Sequence, residues 1–178
     1  MKSLVEILEK YPTDKLNSGY GEFYEELFRP IRHSVESVLE IGIAQGGSLR
    51  AWRDYFPEAC IYGIDKELEF VRPFYGDPTI VTYCEDATKL ASWAVGRYFE
   101  IIIDDGSHIA NEVIATFVAL WPTVISKGYY IIEDVSSTRP RYGQVCDWFA
   151  GYAKSVIIFE GYIASLTFRP NMIVLQKR

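Results

Sequence analysis

The feature that most constrains this chain is a repeated one. A short, continuously apolar run ends on a turn or acidic residue, and a helical pattern follows. Ser37 to Ile43 (SVLEIGI), Cys60 to Asp65 (CIYGID), Ile80 to Asp86 (IVTYCED), Glu100 to Asp105 (EIIIDD) and Gly128 to Asp134 (GYYIIED) are five such runs. Half-solvated strands alternate apolar and polar residues, so runs that stay apolar fit parallel strands covered on both faces. Between them, GGSLRAWRDYF follows the first run, and ANEVIATFVALWPTVIS puts Val113, Phe117, Leu120 and Val124 on one face at helical spacing. Strands alternating with helices predict an open α/β sheet with right-handed crossovers. Two last runs, SVIIFEG (155–161) and MIVLQKR (172–178), lack a clear helix between them and read as an antiparallel pair closing one edge. The expected fold is therefore an open α/β sheet. It has a seven-stranded, mostly parallel sheet, an antiparallel C-terminal hairpin, helices on both faces and two helices (VEILEKY and YGEFYEELFRPIR) ahead of the sheet.

With 178 residues and no linker or internal repeat, the reading is one domain over 1–178. A net charge of −6 argues against a broad nucleic-acid footprint, which needs clustered Lys and Arg. No apolar run approaches the ~20 residues that span a bilayer, so no membrane partner is expected. The first fifteen residues alternate charges and do not read as a signal peptide. Cys60, Cys84 and Cys146 form an odd, scattered set without metal-site spacing, which favours a reducing, cytoplasmic setting.

Open α/β sheets bind ligands outside the carboxyl ends of their strands, and the acidic residues of the five runs all fall at those ends. In LEIGIAQGGSLRAW, Glu40 lies in the first strand, and Gly42, Gly46 and Gly47 shape the turn into a helix whose N-terminus offers free N–H groups. Such a turn is by itself common and sometimes purely structural. Asp65 follows the loop by about 20 residues, where an acid accepts from ribose hydroxyls, and Asp86 ends the third run. For either aspartate a solvated turn or helix cap is an equal alternative. His33 reads as surface or helix-end structure.

Glu40-x-Gly42-x-Ala44-x-Gly46 resembles motif I of the class I S-adenosylmethionine-dependent methyltransferases, with alanine at the usual middle glycine. More narrowly, TDK…GYGEFYEELF, LEIGIAQGGSLRAWRDYFPEACIYGID, IIIDDGSH and YYIIEDV resemble the macrolide sugar O-methyltransferases of the macrocin and mycinamicin type and a related cephalosporin-cluster protein. That resemblance runs from Thr13 to the C-terminus. It implies a Rossmann-like class I methyltransferase fold with S-adenosyl-L-methionine and Mg²⁺ as cofactors. Cofactor contacts are implied for Glu40, Gly42, Gly46, Ser48, Asp65 (ribose), Asp86 (adenine side), Asp104 and Tyr20. Asp105, Glu133 and Asp134 are implied as metal ligands and His108 as general base.

The chemistry suits those residue types. A hard divalent ion takes oxygen ligands, lowers the pKa of a bound hydroxyl and orients it. An imidazole with an ordinary pKa near ~6.5 can accept the proton. Taken singly, each acidic pair also reads as a helix cap, and His108 as an idle loop residue. Thr13, Asp14, Lys15 and Tyr20 resemble the family segment that folds over the cofactor, so residues 1–34 read either as a lid or as an amphipathic cover. SSTRPRYGQ (136–144), with Arg139 and Arg141, reads as an acceptor contact or a solvated loop.

The expected activity is Mg²⁺-dependent O-methylation of a hydroxyl on a sugar or small natural product. A catechol-type phenolic methyltransferase and a non-catalytic cofactor-binding scaffold stay open beside it. A nicotinamide enzyme is disfavoured because the loop lacks G-x-G-x-x-G. The expected partner is a small-molecule acceptor. Homo-oligomers are admitted, since so short a chain has little to spare for finishing an acceptor pocket.

Overall fold

The computed structural model describes residues 2–89, 94, 96–135, 144–152 and 162–178. In chain order the strands are β1 Ser37–Ile41, β2 Cys60–Asp65, β3 Ile80–Cys84, β4 Phe99–Asp104, β5 Val124–Ile132, β6 Ile163–Arg169 and β7 Met172–Lys177. They make one sheet in the order β3-β2-β1-β4-β5-β7-β6. The β1–β2, β2–β3 and β4–β5 pairs are parallel, and β7 is antiparallel to both β5 and β6. The described helices include α1 Leu4–Leu8, α2 Tyr20–Phe28, α3 Gly47–Tyr55, α4 Leu68–Val71 and α5 Ala110–Leu120. None among the described residues is long and apolar enough to cross a membrane. By packing, the chain forms two compact units, Met1–Glu85 and Asp86–Arg178.

In the first unit, Ser3 and Glu6 start α1 with reciprocal hydrogen bonds, each side chain accepting from the other's backbone N–H. The helices pack through aromatic rings. Tyr24 meets Trp52 edge-on at 5.2 Å and Phe28 meets Phe56 at 5.6 Å. All four side chains are fully buried. Each such burial contributes about 1.5–3 kcal/mol, and each edge contact about 0.5–1.5 more. Strand β1 is buried along Val38–Ile41, as its unbroken apolar run predicts. Gly63 of β2 lets α3 sit close, because an added Cβ would lie 2.7 Å from Leu49.

In the second unit, Ile101, Ile102 and Ile103 of β4 are wholly buried. Helix α5 buries Val113, Phe117 and Leu120, as the spacing predicts, but it ends at Leu120 instead of continuing to Ser126. Trp121–Thr123 form one 3₁₀ turn, and Val124 opens β5. Pro122 is the reason: it has no N–H to donate to the Val118 carbonyl, so the helical ladder stops although Trp121 itself keeps helical backbone (φ −53°, ψ −39°). Val124 is buried as a strand residue.

The expected C-terminal hairpin is present, with a different first strand. Strand β6 turns through Pro170 and Asn171 (φ 58°) into β7, Arg169 pairing with Met172. Residues 155–161, expected to supply that strand, lie outside the described residues. Most of β6 is exposed, so it carries no continuous apolar run by which to recognise it.

Candidate active site

The first unit holds the glycine loop. After β1 the backbone turns sharply, with Gly42 (φ 87°), Ala44 (φ 45°) and Gly46 (φ 71°) all left-handed. Left-handed backbone is natural for glycine and uncommon for alanine. Two glycines also answer to close packing. A Cβ on Gly46 would strike the Phe74 ring at 2.2 Å, and one on Gly47 would meet the Pro12 carbonyl oxygen at 2.1 Å.

Asp65, at the end of β2, reaches back to this loop. Its Oδ2 accepts from the Ile43 N–H (2.9 Å) and the Ala44 N–H (3.4 Å), and its Oδ1 accepts from the Glu67 N–H (2.9 Å). The carboxylate is therefore pre-oriented and only partly exposed. Glu40 is fully buried. Its Oε1 lies 3.3 Å from Lys15 Nζ, and the Ser48 hydroxyl donates to its Oε2 at 2.7 Å. Tyr20 opens α2 and is 4 % exposed. Lys15 was invisible as a partner in the sequence, where TDK reads as a polar turn. The only signal was its place in a motif that resembles the family's covering segment.

The second unit holds the acidic strand ends. Asp86 is exposed and accepts from both the hydroxyl (2.6 Å) and the N–H (3.0 Å) of Thr88, with Lys89 Nζ at 3.1 Å. The Thr88 hydroxyl and the Lys89 ammonium hold its carboxyl down at about 2. This is the geometry of a solvated turn. Asp104 closes β4 at 3 % exposure and accepts from the Tyr130 hydroxyl at 3.1 Å. Burial pushes its carboxyl up to about 7, against the lowering effect of the hydrogen bonds from Tyr130 and the Gly106 N–H.

Just beyond β4 and β5, Asp105, His108 and Asp134 come together, one ligand atom from each lying within 4.8 Å of the others. His108 Nε2 is 3.9 Å from Asp105 Oδ1. His108 (φ 53°) and Asp134 (φ 56°) both have left-handed backbone, which costs of order 1–3 kcal/mol at a non-glycine residue and is concentrated at functional sites. Glu133 is 2 % exposed and its N–H donates to the Asp104 carbonyl at 2.9 Å. Its carboxylate is not part of this group of two aspartates and a histidine. Two carboxylates a few ångströms apart suit a hard cation. An imidazole beside them can take a proton or, for a softer ion, act as a ligand. The 136–143 stretch, with Arg139 and Arg141, lies outside the described residues. His33 is exposed on the other unit.

The fold is that of the Rossmann-like class I methyltransferases. The MycE methyltransferase of mycinamycin biosynthesis, solved with Mg and SAH, superposes with a TM-score of 0.82 at 32% identity, over 99% of this chain and 55% of that one. A second MycE structure, which also contains mycinamycin VI, gives the same score and covers 54% of the neighbour.

By sequence the chain is homologous to sugar O-methyltransferases. The 8-demethyl-8-alpha-L-rhamnosyl tetracenomycin-C 2'-O-methyltransferase of Streptomyces olivaceus is 34% identical over 89% of this chain and 50% of its own length. Demethylmacrocin O-methyltransferase of Streptomyces fradiae is 38% identical over 79% of this chain and 38% of its own. The chain thus spans half or less of the length of these curated relatives. No protein-family model matches it.

Proposed function

We propose that this chain carries out S-adenosylmethionine-dependent O-methylation of a hydroxyl on a sugar or small natural product, with a divalent cation, Mg²⁺, at the acidic strand ends. The observation that carries the reading is the convergence of Asp105, His108 and Asp134. Homology to sugar O-methyltransferases supports it, as do the neighbours solved with Mg, SAH and, in one case, mycinamycin VI.

Asp105 and Asp134 would hold the ion. Glu133 joins them in the proposal as the acid adjacent to Asp134. When bound, the ion supplies a Lewis acid and a template for the acceptor's oxygens, and the sulfonium cofactor supplies an electrophilic methyl group. The chain's own residues have the remaining work. The glycine loop and Asp65 bind and orient the donor, Asp65 through a carboxylate already fixed by the Ile43 and Glu67 N–H groups. His108, whose Nε2 lies 3.9 Å from Asp105 Oδ1, takes the hydroxyl proton.

The test is mass spectrometry of products after incubation with donor, Mg²⁺ and a panel of glycosylated and catechol acceptors. A mass gain of one CH₂ unit on a glycosylated acceptor is expected, a methyl group replacing the hydroxyl hydrogen, which leaves as a proton. EDTA should lower the rate by several kcal/mol of lost stabilisation, on the order of 10³-fold, while SAH still binds. Undiminished turnover without metal would refute the ion's role, and methylation of catechols alone would move the acceptor to the phenolic class.

The same grouping favours a second reading, in which His108 is itself a ligand to a softer divalent ion. His108→Ala would then lose metal affinity together with rate.

A further inference from the structure

We propose that Lys15 is a positioning residue for donor binding, and that the segment around it is a fixed wall of the glycine loop rather than a lid that opens. This rests on the reading of the loop as the donor site. The Lys15 and Glu40 side chains are 1 % and 0 % exposed and 3.3 Å apart. The lysine comes from the irregular segment before α2, and the glutamate from the strand that feeds the loop.

The same segment is held at four further points. The Tyr11 hydroxyl (2.8 Å) and Lys10 Nζ (3.2 Å) both donate to Asp54 Oδ2 on α3. The Pro12 carbonyl packs where Gly47 leaves no room for a Cβ. The Lys15 carbonyl accepts from the Tyr20 N–H (3.0 Å) and Gly21 N–H (3.3 Å), which starts α2. Swinging this segment away would separate a buried ammonium from a buried carboxylate. Burial makes a lone charge far more costly than the pair.

Glu40 has Oε1 against Lys15 and Oε2 bonded to Ser48, so it acts through these neighbours. Lys15 ties the covering segment to β1, Ser48 ties α3 to β1, and the loop between them is held in one shape before the donor arrives. Binding to a preformed loop avoids the cost of ordering it.

Calorimetric titration with SAH and hydrogen exchange of the ligand-free protein test this on the whole chain. Lys15→Met and Glu40→Gln are each expected to weaken SAH by about tenfold or more, and the double variant by much less than the product, since a neutral pair strands no charge. The donor KM should rise in Lys15→Met with kcat at saturation within about twofold, the pattern of lost binding rather than lost chemistry. The Tyr20 and Gly21 amides, which donate to the Lys15 carbonyl, should exchange as slowly as those of α3 in the wild type.

Wild-type SAH affinity in Lys15→Met, fully multiplicative losses in the double variant, or free exchange of the Tyr20 and Gly21 amides in the wild type would each overturn the proposal. If the single variants do not fold, the double variant and the wild-type exchange still decide it. A wild type that binds no SAH would instead remove the donor-site reading itself.

Discussion

Glu40 and Asp104 are both strand carboxylates withdrawn from water, and their surroundings differ. Glu40, in the first unit, has a lysine ammonium at 3.3 Å and a serine hydroxyl on its other oxygen. Asp104, in the second, has a tyrosine hydroxyl at 3.1 Å and another aspartate next in sequence, and its carboxyl is pushed up to about 7. One region brings its own cation and thereby fixes a loop. The other gathers acids and an imidazole, an arrangement suited to a cation from outside. On the proposed function, the contrast separates a donor site built for shape from a reaction centre built for charge.

The comparison can be sharpened or broken by substitutions on either side. The largest effect belongs to the second region: His108→Ala should lower kcat by ~10²–10⁴-fold, the usual contribution of a positioned base, with SAH affinity unchanged. Stopped turnovers and a Mg²⁺ titration check it, and a parallel loss of metal affinity would make the imidazole a ligand.

In the first region, Asp65→Ala should weaken SAH by about 1.5–3 kcal/mol, the scale of hydrogen bonds to a charged group, with little change in Mg²⁺ dependence. Calorimetry reads this directly, and equal affinity would put the ribose elsewhere. Gly47→Ala drives a Cβ into the Pro12 carbonyl and should destabilise by about 1–3 kcal/mol, as overpacking does. A thermal melt checks it.

The smallest effect is Asp86. Its folded carboxyl titrates at about 2, below its ordinary 3.8, because Thr88 and Lys89 favour the ionised form. Its contribution is therefore complete above about pH 4 and is lost as pH falls through 2. For so exposed a group this is about 0.2–1 kcal/mol. Denaturation of Asp86→Asn against wild type should show a gap at pH 6 that has largely closed by pH 2.

Much of this was legible in the chain itself. Unbroken apolar runs dictated buried parallel strands, since a solvated face would have demanded polar alternation, and β1, β2 and β4 follow that rule. The doubled acids after two of those runs marked the strand ends where Asp105 and Asp134 meet. Strand β6 is not legible, because an exposed strand needs no apolar signature, and the apolar spacing that continues past Pro122 hides the end of α5 at Leu120.

Tertiary structure alone decided which carboxylates became neighbours of what. Nothing in the sequence separates the roles of Glu133 and Asp134, yet one is buried beside Asp104's backbone and the other converges with His108. Nor does the order of residues reveal that Lys15 crosses to Glu40, 25 positions on, by the numbering of the chain. Periodicity reports which face of an element avoids water. The pairing of charges depends on where distant segments come to rest, and short-range patterns carry no record of that.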